Sequence, residues 1–234
     1  MTAALSATQF FGLARDGTPG SWRLPVEASL ASGTGALFGG AALGAAIAVA
    51  EEHTRRPLVW ATVQFVHHVR PPAVLHVTIE ESARGRRATQ VDGVARLDDL
   101  EVFRFVGTTG SPDPEGVAQA WMSPPPVPPP DQCPARTMLA RHRGRFMERT
   151  EVRLASGRQT VGERHVGAPG GAIDGRSAVW VKVPTLDPGA ATLGVIGDYV
   201  PFGLREALGD GWATHSLDNS IRVLRRPGAG WVLA

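Results

Sequence analysis

The sequence predicts an α+β protein in which two curved antiparallel sheets each wrap a central helix of small residues. Three observations carry that prediction. Residues 37–50 form an apolar run without a polar face, which demands cover on every side. Stretches of strict alternation flank it, the mark of half-buried strands. A proline-rich connector then divides the chain into halves that repeat the same order of elements.

The first strand lies within residues 21–30, where Trp22, Leu24, Val26, Ala28 and Leu30 alternate with Ser21, Arg23, Pro25, Glu27 and Ser29. The helix follows. A membrane span needs roughly 18 or more apolar residues, and this run ends sooner, at Glu51, Glu52 and His53. A dinucleotide-binding turn is the better rival, because Gly33, Gly35 and Gly39 precede the helix. Its first strand, however, would be apolar on both faces, and the next would end near an acidic residue. Here residues 58–70 end in His67, His68, Val69 and Arg70. A sheet curled around the helix fits better, with small helix residues admitting close approach of the sheet backbone. Strands are expected at residues 74–81, 86–97 and 100–106, with a turn at Asp98 and Asp99.

Residues 107–134 lose all periodicity, and the prolines between Ser123 and Pro130 make a stiff extended connector. The expected division is residues 1–110, a linker at 111–137, and a second half at 138–234. That half opens with alternation at residues 146–154, followed by a Gly/Ala/Pro-rich loop at 167–175 and a strand at 177–183. Asp187 and Pro188 suit the start of a helix, as cap and first helical residue. The helix, residues 190–200, is again small and apolar, and Pro201 ends or kinks it. Strand-like segments return at residues 212–225 and from Trp231. Between Ala190 and Leu204 the only charged residue is Asp198, and the first helix has no counterpart before Glu51. Only one half is thus equipped for chemistry.

Composition narrows the function. With 43% hydrophobic residues in 234, the chain can bury a substantial core. The N-terminus has neither a basic start nor a long apolar segment, so no secretory signal is expected. A single cysteine, Cys133, excludes an internal disulfide and fits a reducing cytoplasm. The 24 Lys+Arg against 22 Asp+Glu include one lysine, Lys182, and this arginine bias reads as coding composition, so no nucleic-acid partner is expected. Arg136, Arg141, Arg143, Arg145, Arg149 and Arg153 form a local basic cluster, open to two readings: a solvated strand face or a site for a phosphate-bearing ligand.

Several motifs together resemble the acyl-CoA thioesterase II-like proteins, which are built as two fused hotdog domains. In the first half these are Leu37-Phe38-Gly39-Gly40 at the helix start, residues 63–71 ending in His68, Val69, Arg70 and Pro71, and the turn Arg84-Gly85-Arg86. In the second half they are residues 194–201, similar to the segment that bears the family's catalytic aspartate, and residues 216–222, similar to its Thr/Ser-aliphatic-Asp-His-Ser strand. The resemblance implies a double hotdog fold and hydrolysis of acyl-CoA to fatty acid and CoA. It implies that Asp198 and the Ser216 hydroxyl hold and activate the hydrolytic water, without a cofactor. It also implies a homodimer or higher homo-oligomer, since hotdog sheets pair edge to edge. Two departures stand out. Asn219 replaces a common histidine, and family members continue past the strand beginning at Trp231, completing the sheet and supplying a glutamine as third catalytic group. The second hotdog is therefore expected to lack its last strands.

The residues make chemical sense on their own. Thioester hydrolysis needs a placed water, a base and an oxyanion site. An aspartate on an apolar helix is desolvated and so more basic; its plainer role would be a solvent-facing residue or a partner of Arg222. Ser216, Asp218 and Ser220 would share one strand face, which could simply be wet. Gly39 and Gly40 either offer a backbone N–H to substrate at a helix N-terminus or serve close helix–sheet packing. No Gly-x-Ser-x-Gly elbow occurs, and His67, His68 and His76 lack zinc spacing, so no metal is assigned. The alternative to an enzyme is a non-catalytic acyl-CoA or acyl-carrier binding protein with a degenerate site.

Overall fold

The computed structural model describes residues 3–111, 123–136, 138–156, 177–199, 203–204 and 215–234. The expected loop at 167–175, the end of the second helix at Pro201 and the start of the strand at Trp212 lie outside them.

In the first half a short helix, α1 (Ala7–Phe11), precedes strands β1 (Ala14–Arg15) and β2 (Ser21–Val26). The central helix α2 (Gly39–Thr54) leads to β3 (Leu58–Phe65), β4 (Ala73–Arg84), β5 (Ala88–Leu97) and β6 (Leu100–Gly110). The second half holds β7 (Glu151–Ser156), β8 (Ala178–Lys182), helix α3 (Ala190–Gly197), β9 (Asp218–Arg222) and β10 (Val232–Leu233). The larger sheet runs β1-β2-β4-β5-β6-β3-β9, and a smaller one β10-β8-β7. Strand β9 of the second half thus extends the first half's sheet, pairing antiparallel with β3 from Trp60↔Arg222 to Gln64↔Asp218. In the first half β4 and β3 are joined through β5 and β6; no described strand takes those two places between β10 and β9.

Every residue of α2 from Gly40 to Ala50 is buried, as its lack of a polar face requires. Leu43, Ile47 and Val49 are fully enclosed, each gaining about 1.5–3 kcal/mol by burial. Beyond the expected approach of the sheet, three of the glycines serve a contact between the two helices. A Cβ on Gly40 would lie 2.5 Å from the Val195 carbonyl oxygen, and one on Gly44 3.2 Å from that of Ala191. From the other side, a Cβ on Gly194 would meet Ile47 at 2.7 Å. Gly40, Gly44 and Gly194 therefore let the two central helices cross in direct backbone contact, while Gly39 faces Phe65 of β3. Phe11 fills the remaining space over Gly44, held there by α1, whose Ser6 and Gln9 form a capping box.

Other local expectations change as well. Residues 146–149 form a 3-10 turn with Phe146 buried, and the strand starts only at Glu151. Asp187 does not cap α3 with its side chain; Gly189 is the N-cap and the Asp187 carbonyl accepts from the Thr192 hydroxyl at 2.9 Å. Helix α3 is almost wholly apolar and enclosed, so packing rather than a cap fixes it. In the described part of the connector Pro129 is extended, at φ −65 and ψ 158, and Trp180 Nε1 of the second half donates to the Pro128 carbonyl.

Candidate active site

Asp198 follows the last turn of α3, where its backbone leaves the helical conformation. Its carboxylate is not turned to solvent, being 6% exposed, and it does not pair with Arg222, whose guanidinium lies near the Trp60 ring. It points across the helix crossing to the start of α2. There Oδ2 accepts the Gly40 backbone N–H at 2.8 Å. Oδ1 accepts the Ser216 hydroxyl at 2.8 Å and, more weakly, the Asn219 amide at 3.4 Å. Burial pushes the Asp198 pKa above the ordinary aspartate value, and these donors pull against that without cancelling it.

The cradle explains the glycine pair. A Cβ at Gly39 would sit 2.5 Å from Asp198 Oδ2 and 2.9 Å from the Phe65 ring. Only a residue without a side chain admits the carboxylate here. Of the two backbone amides, that of Gly40 is engaged by Asp198; that of Gly39 has no hydrogen bond among the described residues. It lies at the positive end of α2.

Ser216 precedes β9, and the expected shared face does not form. Asp218 and Ser220 point outward, with Ser220 bonded to the Thr62 hydroxyl at 2.5 Å, whereas Asn219 and Ile221 are half-buried. The irregular backbone before Asp218 brings Ser216 back to Asp198. The sequence marks Asn219 as a departure without placing it at the carboxylate. It also leaves Tyr199 and His215 unassigned, although each adjoins a singled-out residue. Both line the cavity. The Tyr199 hydroxyl, pushed up to about 12 by burial, donates to Thr150 at 3.2 Å. The His215 ring lies 4.9 Å from that of His68. The glutamine implied by the resemblance has no counterpart at the carboxylate among the described residues.

Asp198, Ser216 and Gly39 line one cavity of about 290 Å³. Its buried wall is apolar, with Ala42, Val69, Val102 and Phe103, while its exposed rim carries Arg141 and His68. No group of His, Cys, Asp or Glu among the described residues could hold a metal.

The profile of the acyl-CoA thioesterase N-terminal domain matches residues 28–110, and that of the C-terminal domain residues 130–234. The chain belongs to the acyl-CoA thioesterase family. A solved protein from Novosphingobium aromaticivorans, assigned as a thioesterase, shares 30% identity over 94% of this chain and 83% of its own, with a TM-score of 0.77. A thioesterase II assigned in Thermobifida fusca is 16% identical, covers 100% of this chain and 85% of its own, and has a TM-score of 0.81. A hotdog protein of unknown function from Alicyclobacillus acidocaldarius is 18% identical, covers 97% and 83%, and has a TM-score of 0.80. At such identities the last two speak for the fold alone, which is a double hotdog. No curated protein matches the sequence. This acyl-CoA thioesterase is accordingly a thioester hydrolase, and no helix among the described residues is long and apolar enough to cross a membrane.

Proposed function

We propose that this thioesterase cleaves acyl-CoA by direct attack of a water held between Asp198 and Ser216, with no covalent enzyme intermediate. The observation that carries the reading is the state of the carboxylate: buried, and fixed by three donors, one from helix α2, one from the segment before β9 and one from β9 itself. An ionised carboxylate offers about four acceptor sites, so one remains for water. The Ser216 hydroxyl donates its hydrogen bond to Asp198 and can only accept one from that water in turn. Both water hydrogens are thereby directed at protein, and a lone pair is left for the thioester carbon.

As the carbon–oxygen bond forms, Asp198 takes the water's proton, for which its raised basicity suits it. Negative charge develops on the former carbonyl oxygen, and the Gly39 N–H at the helix start is the donor that stabilises it. Gly40 contributes by holding the base. Collapse of the adduct breaks the carbon–sulfur bond, and the proton on Asp198 leaves with the thiolate of CoA. The acyl chain occupies the apolar wall of the cavity. We retain as parts of this reading the division at residues 110 and 138, a cytoplasmic setting, for which the one free cysteine speaks, and a homo-oligomer.

The test is thiol release from acyl-CoAs of graded length by the wild type and Asp198→Asn. Release that the variant loses is expected. Equal rates would remove Asp198 from the mechanism, and tight binding without release by the wild type would make the protein a non-catalytic acyl-CoA binder.

A further inference from the structure

Arginines on much of this surface are paired: Arg15, Arg23, Arg84 and Arg104 each lie against a carboxylate. Around the loop before α2 the pattern changes. Arg70 and Arg145 both reach Gly35, whose Cβ would lie 2.9 Å from Arg70 Nη1 and 4.0 Å from Arg145 Nη2. Arg141 packs on Gly33, where a Cβ would meet its side chain at 3.4 Å. Arg70 donates to the Thr34 carbonyl at 3.1 Å and Arg141 to His142 at 3.4 Å. None of the three has an ion pair among the described residues. The three guanidiniums come from two segments, Arg70 after β3 and the other two from the stretch between linker and β7, and converge on one glycine-bracketed loop.

That loop is also part of the active cavity. Ser32, Gly33 and Thr34 line it together with Arg141, and its buried end is apolar. The cavity thus joins a buried hydrocarbon wall and the buried Asp198 carboxylate to an exposed cationic rim. A fatty acyl thioester that ends in phosphates combines the same three kinds of chemistry. Guanidinium is the group best matched to phosphate oxygens.

Building on the hydrolase reading above, we infer that Arg70, Arg141 and Arg145, gathered around residues 33–35, bind the 3′-phospho-ADP end of CoA. The site holds substrate equally before and during reaction, so its loss raises KM and leaves kcat unchanged.

The experiment compares octanoyl-CoA with octanoyl-pantetheine, which carries no phosphate, in the wild type, Arg141→Gln, Arg145→Gln and the double variant. Both positions are solvent-accessible, so folding is preserved; Arg23→Gln, on β2, is the control. Each substitution is expected to raise KM for octanoyl-CoA about tenfold, the worth of one charge-assisted bond. The double variant should reach about 100-fold, and turnover of octanoyl-pantetheine should be unaffected throughout. An unchanged KM for octanoyl-CoA, or an equal loss with both substrates, overturns the proposal. So does a full penalty with octanoyl-4′-phosphopantetheine, which would move the site to the other phosphate. Calorimetry with 3′,5′-ADP separates this inference from the hydrolase reading: wild-type binding that the double variant loses supports the anion site even if no thioester is cleaved. Absence of wild-type binding overturns it.

Discussion

The backbone N–H of Gly40, on the central helix of the first half, donates at 2.8 Å to the carboxylate of Asp198, which ends the central helix of the second. The carboxylate is therefore held by a part of the chain far from it in sequence, and changes on either helix reach it.

Asp198→Asn tests both sides of this arrangement. Loss of the base should lower kcat by about 10²–10⁴-fold, read as thiol release from acyl-CoA. Stability should move the other way. A carboxylate whose folded pKa exceeds its unfolded value costs stability as pH rises from the unfolded value through the folded one, and costs nothing below both. The variant should thus match the wild type in acid and exceed it at neutral pH, read as a higher Tm at neutral pH only. Equal melting curves at neutral pH would mean that the buried charge carries no such cost.

The acid limb of kcat/KM should lie above the ordinary aspartate range, because the raised pKa governs the free enzyme's base. The Ser216 hydroxyl favours the charged form. In Ser216→Ala the limb should therefore move to still higher pH while kcat falls by about 10-fold or more, on the scale of one lost hydrogen bond to a charged group. A limb that stays in place would break the link between the two residues.

Gly39→Ala should abolish most activity. The new methyl would lie 2.5 Å from Asp198 Oδ2, within the hydrogen-bonded cradle, and 2.9 Å from Phe65. Overpacking of this kind costs about 1–3 kcal/mol. The diagnostic readout is kcat at a temperature where circular dichroism shows the variant folded.

Alanine substitutions along the helix crossing should rank by what the new methyl meets. Gly40→Ala confronts a backbone oxygen at 2.5 Å and should be the most damaging. Gly194→Ala meets the flexible tip of Ile47 at 2.7 Å and should be mildest. Thermal melts of Gly40→Ala, Gly44→Ala and Gly194→Ala give the order directly.

Much of this was legible in the chain. A helix such as α2, apolar all round, can exist only inside something, and the alternating stretches around it could only be sheet. Asp198 stood out because nothing else near it was charged. What surrounded it was less visible. Glycines signal close approach but not the partner, so the helix–helix contact at Gly40 and Gly44 read as helix–sheet packing. Strand alternation placed Ser216 with Asp218, and the backbone break between them hid both the path of Ser216 to Asp198 and the arrival of Asn219. Helix α1 carried its signal, Ser6 and Gln9 in a capping box, within a segment too short to show periodicity.

Since the carboxylate and the amide that steadies it belong to different halves, each half by itself would present only part of the proposed site. Two separate polypeptides would lose that site on dilution, to an extent set by their mutual affinity. Carried on one chain, the partners meet at an effective concentration fixed by the connector, on the order of millimolar for short tethers. The proline-rich segment thus makes the integrity of the site independent of how much enzyme is present.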